Sequence, residues 1–230
     1  MSLKVSIMQP YFFPYAGYFR LFAAADLFVI FDCVQFPRRG WVHRNQLIDH
    51  SGQAQWLTLP LAKGSRDTTR ICDLTFPTNA DMLLSEQLRR FPSIPLIGRD
   101  HESLLRDIHD LDRSPVQYLA STLRHITELL GITRPILLSS SLGIPAELKA
   151  QSRIIEIAKR VGAEHYINAP GGRSIYEHQA FKEAGLSLNF LPDYVGSYQS
   201  ILERLAHESA DSLAKEILLN TSLDCVTASL

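Results

Sequence analysis

Three short segments hold side chains of the types and spacing that support chemistry. The first is Asp32-Cys33-Val34-Gln35-Phe36-Pro37-Arg38-Arg39-Gly40-Trp41-Val42-His43-Arg44-Asn45. An acid leaves an apolar run, and three arginines, a histidine and an asparagine follow it closely. The guanidinium forks of Arg38 and Arg44 suit a carboxylate or phosphate, and Asn45 can bind a polar substrate group. Asp32 at a strand end can orient or deprotonate a nucleophile. A charged surface loop with a local Asp–Arg pair worth ~0–1 kcal/mol would show the same residues.

The second segment is Gln9-Pro10-Tyr11-Phe12-Phe13-Pro14-Tyr15-Ala16-Gly17-Tyr18. Here an amide ends a β-prone run, and Gly17 permits close backbone approach at a helix start, where N–H groups favour anions. A loop so aromatic either packs inward or lines a pocket. The third is Pro170-Gly171-Gly172-Arg173-Ser174, whose glycines can present consecutive N–H groups to an anion beside the charge of Arg173. It matches neither the P-loop nor the dinucleotide fingerprint, and a plain turn would read the same way.

Other candidates carry less. Asp32 opposes thiolate formation at the adjacent Cys33. The eight histidines are scattered without zinc-ligand spacing, so no metal is expected and no cofactor is indicated. Ser139-Ser140-Ser141 lacks the glycines of a nucleophile elbow. Three widely spaced cysteines, Cys33, Cys72 and Cys225, fit a reduced, cytoplasmic protein rather than a disulfide framework.

The elements that must position these segments alternate. Val5-Ser6-Ile7-Met8 is a short β-prone run, 19–25 is rich in helix formers, and 27–31 is a continuous apolar run of strand length. Such a run suits a parallel strand covered on both faces. Residues 56–61 and 71–76 predict two strands around the polar loop 63–67. Helices are expected near 79–91, 101–111 and 115–130, the last with Ser114 as cap and Pro115 in its first turn. Strands near 136, 166 and 188 then alternate with helices near 149–161 and 176–184, and a final helix is expected near 209–219.

Strands near 5, 29, 136, 166 and 188 imply an α/β fold: an open parallel five-stranded sheet flanked by helices. A β-rich insertion around 41–76 and a helical segment 79–131 interrupt it, so 1–230 reads as a single α/β domain with insertion 41–131 between the second and third parallel strands. Ligands of such sheets bind beyond the carboxyl ends of the strands. Gln9, Asp32, 139–141 and 168–173 are expected there.

Composition agrees with this architecture. At 46% hydrophobic and 20% charged residues over 230, the chain can bury a sizeable core and is not of disordered type. A net charge of −1 excludes wrapping nucleic acid or coating an anionic membrane by bulk charge. The most apolar stretch, 21–31, is too short for a span of roughly 20 residues and contains Asp26. The amino terminus does not read as a signal peptide.

The run Gln9 to Phe19, then Ala25-Asp26, Phe31-Asp32-Cys33-Val34-Gln35-Phe36 and Arg44-Asn45, closely resembles the bacterial WbqC-like family. Trp56-Leu57-Thr58, Ser140-Ser141-Leu142-Gly143, Gly171-Gly172-Arg173 and Tyr198 with Ser200 extend the resemblance over most of the chain, with weaker agreement over 79–113 and after Gln199. The resemblance implies a place among surface-polysaccharide (O-antigen) biosynthesis functions and a glycyl or other aminoacyl-type transfer. A weaker similarity links the opening strand, Gly17 and the apolar strand ending at Asp32 to adenylyl-transferring α/β enzymes of the pantothenate synthetase type. Tyr15 and Tyr18 stand where those enzymes carry histidines; tyrosine donates hydrogen bonds but brings no imidazolium charge. In that analogy Gly171-Gly172-Arg173 takes the place of the second phosphate loop.

These readings converge on a transferase moving an acyl or aminoacyl group to a sugar intermediate of surface-glycan synthesis. Its partner would be a small-molecule sugar or nucleotide-linked substrate, with no nucleic acid and no membrane insertion. Asp32 is the expected catalytic residue. Gln9, Tyr15, Gly17, Tyr18, Arg38, Arg44, Asn45, Gly171, Gly172 and Arg173 are the expected substrate-binding set. A non-catalytic nucleotide or nucleotide-sugar binder, or a nucleotidyltransferase-like enzyme, is the alternative.

Overall fold

In the computed structural model, which describes residues 2–64 and 68–222, the apolar runs near 5, 29, 136, 166 and 188 all form strands. In chain order β1 (Lys4–Met8) and β2 (Leu27–Ile30) precede a hairpin of β3 (Arg44–Ile48) and β4 (Ala54–Thr58), and β5 (Ile136–Leu138), β6 (His165–Asn168) and β7 (Ser187–Phe190) follow. Five of these make one parallel sheet in the order β5-β2-β1-β6-β7. The fold is the expected α/β sheet.

Period-2 alternation gives this sheet two apolar faces. Val5, Ile7, Leu27, Val29, Tyr166 and Leu188 pack with Ile154, Ile157 and Phe181, which lie on α6 (Ala150–Arg160) and α7 (His178–Glu183). Phe28, Ile30 and Ile167 face the other way. They join Leu21 and Phe22 of α1 (Arg20–Ala24), Leu119, Leu123 and Ile126 of α5 (Pro115–Leu129), and Leu213 and Ile217 of α9 (Ala210–Leu219). The β1-to-β2 connection therefore covers one face, and the β5-to-β6 and β6-to-β7 connections cover the other. Helix α5 starts as expected: Gln117 N–H donates to Ser114 Oγ and Ser114 N–H to Gln117 Oε1, a capping box.

Between β2 and β5 the chain forms α2 (Ala80–Leu88), α3 (Ser93–Asp100) and α4 (Glu102–His109) before α5, and α8 (Ile201–His207) precedes α9. Helices α3 and α8 were not expected. The two-strand expectation for 56–61 and 71–76 needs correction. Strand β4 forms, but its antiparallel partner is β3, in the register Arg44↔Thr58 to Ile48↔Ala54. Residues Ile71–Asp73 form a 3-10 turn that buries Ile71 and Leu74 three residues apart. The hairpin turns through Gly52 at φ 78°, with Asp49 Oδ1 accepting from the Ser51 and Gln53 N–H groups. Ser65, Arg66, Asp67 and Cys225 lie outside the described residues. Among the described residues, no helix is long and apolar enough to cross a membrane.

Candidate functional site

The chain winds outward from β1 through β2 to β5 on one side and from β6 to β7 on the other, so the order of the sheet reverses between β1 and β6. A cavity of about 500 Å³ opens at this point, beyond the carboxyl ends of both strands. Gln9 enters from the end of β1. Asn168, Gly171 and Gly172 enter from the end of β6, and Tyr15, Gly17 and Tyr18 from the loop and turn before α1. Tyr166 and Tyr176 close the side nearest α7. Six of the expected binding residues, distant in sequence, share one cavity.

Each is held for a local reason. Tyr18, fully buried, donates from its hydroxyl to the Gln9 carbonyl at 2.8 Å, and burial pushes its phenol well above the ordinary value. Gly17 leaves room for two rings: a Cβ there would sit 2.3 Å from the Tyr15 ring and 2.7 Å from that of Tyr194, so a larger residue would have to displace them. A Cβ at Gly172 would meet the Asn168 amide nitrogen at 2.3 Å, whereas Gly171 faces open space. The expectation that these two glycines expose a run of free N–H groups is not met. Neither adopts a left-handed φ, and the N–H groups of Gly172 and Arg173 donate to the Ala169 and Pro170 carbonyls of a 3-10 turn.

None of the described residues lining this cavity carries a formal charge. Its polar groups are the Gln9 and Asn168 amides and several phenols. Burial raises the Tyr11, Tyr15 and Tyr176 phenols, so near neutrality they are protonated donors rather than bases. The Tyr166 hydroxyl lies within electrostatic reach of Tyr176 but has no hydrogen bond of good geometry, and burial leads its phenol's rise well above the ordinary value.

A second cavity of about 320 Å³ adjoins the first, because Tyr11 and Tyr15 line both. Pro14, Trp41, Asn45 and Tyr198 complete it. Trp41 is 44% exposed and Tyr198 67%, far more than an aromatic side chain needs for packing alone. Tyr15 is braced by Tyr194 and Tyr198 at centroid distances of 5.4 and 4.8 Å. Asn45 is buried and holds the aromatic loop: its amide donates to the Phe12 carbonyl at 3.2 Å and the Phe13 carbonyl at 2.6 Å. Ser200 Oγ donates to that Phe13 carbonyl at 2.8 Å. Phe13 has φ 46°, a strained value for a non-glycine residue, fixed by these two side chains.

Four expected site residues lie elsewhere. Asp32 is fully buried. Its Oδ1 accepts from Ser139 Oγ and the Ser140 N–H, both at 2.8 Å, and its Oδ2 from Ser140 Oγ at 2.6 Å. The carboxylate ties the end of β2 to the end of β5 and meets neither cavity directly. Arg38 lines a separate cavity of about 350 Å³ with His43. His43 packs edge-on to Phe36, its Nδ1 is buried without a partner, and its pKa is pushed down to about 4 by burial first and the Arg44 charge second. Arg44 stacks over Trp56 at 4.3 Å. Arg173 donates to the Leu191 carbonyl at 3.1 Å and lies 3.9 Å from Asp193, gripping the loop after β7.

Trp41, Tyr166 and Tyr176 were not singled out from sequence. Trp41 sits between two charged stretches, and the tyrosines read as ordinary packing residues. Only their position beside strand ends could have promoted them.

Comparison with known proteins follows this geometry. The model of the WbqC-like protein family matches residues 9–207. An uncharacterized protein of Mycobacterium tuberculosis is 27% identical over 205 residues, covering 84% of this chain and 83% of the relative. No solved structure matches the chain.

Proposed function

The chain belongs to the WbqC-like protein family, and on that premise we propose that it is a transferase of surface-glycan (O-antigen-like) assembly, moving an acyl or aminoacyl group onto a sugar intermediate in the cytoplasm. The observation that carries this reading is the convergence of Gln9, Gly17, Asn168 and Gly172 on one cavity where the sheet order reverses, the place such sheets bind ligands. In this reading the donor's acyl portion occupies the uncharged cavity, oriented by the Gln9 and Asn168 amides. The acceptor sugar lays an apolar face on Trp41 and Tyr198 in the adjoining cavity. The reacting atoms meet at the shared wall of Tyr11 and Tyr15, whose protonated phenols can donate to the oxygen on which negative charge develops. Asp32 acts as a positioning residue that locks the ends of β2 and β5. Arg38, Arg44 and Arg173 act on the surrounding loops.

The absence of a charged acid or base among the described residues lining the cavity favours one second reading, a binder of a sugar or nucleotide-linked molecule without turnover. Nucleotidyl transfer needs cations around the phosphates, and the described residues lining this cavity supply none. The test incubates the full chain with acyl and aminoacyl donors plus nucleotide-sugars, and follows thermal shift and product mass. Transfer predicts a mass-shifted sugar that Trp41→Ala and Asn168→Ala abolish in folded protein. Stabilisation without product would leave the binder, and no stabilisation by any compound would sink both.

A further inference from the structure

Beyond the carboxyl ends of β2 and β5 lies a further cavity, about 700 Å³, lined by none of the described residues that line the three cavities above. Cys33 and Ser140 form part of its wall, and three cations line it: Arg70, Lys149 and Arg153. Among the described residues, no carboxylate lines it. The guanidinium of Arg153 is held by uncharged groups, backbone carbonyls together with the Cys33 sulfur at 3.4 Å. Its Nε donates to Leu148 at 2.7 Å, Nη1 to Cys33 at 2.9 Å and Nη2 to Ala146 at 3.0 Å, and among the described residues no acid lies within ion-pair distance. Lys149 likewise has no acidic partner among them. Arg70 is paired with Asp73 through bonds of 2.7 and 2.9 Å. Asp32 lies behind the serine wall with both oxygens already occupied by Ser139 and Ser140. Among the described residues, the three cations exceed these two acids by one positive charge.

We propose that this cavity binds the phosphoryl group of an anionic ligand. A fixed guanidinium without a counter-ion is a preorganised anion partner, since it needs no reordering to form new contacts and cannot lose its charge. The uncharged cavity between β1 and β6 is not built for such a group. The two adjoin at the end of β2, where Phe31 faces the uncharged one and Cys33 the basic one, and on α6, where Ile154 and Arg153 divide in the same way. The basic site stands on its own charges, whether or not acyl transfer is the reaction.

The test titrates the ¹⁵N-labelled full chain with inorganic pyrophosphate and repeats the titration with Lys149→Glu and with Gln9→Ala, both checked for native circular dichroism. Amide shifts are expected at 33–35 and 143–150, binding should weaken with added salt, and Lys149→Glu should raise the dissociation constant by about fivefold or more. Gln9→Ala should leave it unchanged, which separates this site from the reading of the uncharged cavity. Shifts confined to residues 9–18 and 168–172, no shifts up to saturating pyrophosphate, or a smaller effect of Lys149→Glu would overturn the proposal.

Discussion

At the scale of single residues, the glycines that look alike in sequence differ in necessity. A methyl group at Gly17 must displace the Tyr15 and Tyr194 rings, while one at Gly171 meets nothing. Gly17→Ala is expected to cost ~1–3 kcal/mol by urea denaturation and to abolish ligand binding, whereas Gly171→Ala should stay within about 0.5 kcal/mol. Asp32 shows the same divergence between type and role. Asp32→Ala would leave the buried Ser139 hydroxyl without its carboxylate acceptor and loosen the half-buried Ser140 N–H, so a loss of ~1–3 kcal/mol is expected in the same measurement. His43 sets a pH dependence. Its folded pKa, about 4, lies below the ordinary 6.5, so the unfolded chain takes up a proton first as pH falls. The stability His43 confers is complete above pH 6.5 and is lost between there and about 4. Thermal melts at pH 7 and pH 5 should show wild type falling by a few degrees more than His43→Phe. Equal falls would mean that the ring protonates freely in the folded state.

Among elements, legibility followed how closely a local pattern matched its surroundings. The parallel strands were readable because a strand covered on both faces must be apolar throughout, as Leu27–Ile30 is. Strand β3 was not, because one of its two inward positions is taken by Asn45 rather than an apolar residue and its neighbours are Arg44 and Gln46, so a half-buried hairpin looks like a polar loop. Helix α3 was hidden by Pro95 in its first turn, where proline costs little. In the site, strand ends announced Gln9 and Gly172. Nothing local announced Asp32's partners, which lie more than a hundred positions away, or the cations of the basic cavity, drawn from two distant segments. Asn45 also tests what holds the aromatic loop. Asn45→Ala removes both bonds to the Phe12 and Phe13 carbonyls, and a loss of ~2 kcal/mol is expected. Amide exchange of residues 10–18 should accelerate more than that of β1 and β6; uniform acceleration would mean the loop is held by other contacts.

For the whole molecule, the insertion 41–131 and the parallel sheet share one core. Leu47, Leu57, Leu88 and Ile97 belong to the same buried cluster as Phe28, Ile30 and Leu213. We propose that they form one cooperative unit. Both tryptophans, Trp41 and Trp56, lie in the insertion, so their fluorescence reports on it while far-ultraviolet circular dichroism averages over the chain. Coincident urea transitions are expected, and an earlier fluorescence midpoint would show that the insertion unfolds by itself. The partition of Tyr11 and Tyr15 has a further consequence at this scale. Chambers divided by two rings cannot be filled independently once a guest presses on either ring. Whatever factor the first guest applies to the affinity of the second, the second must return to the first. Under the proposed reading, the two occupancies are coupled through the shared pair of rings, and no domain needs to swing for the coupling to arise.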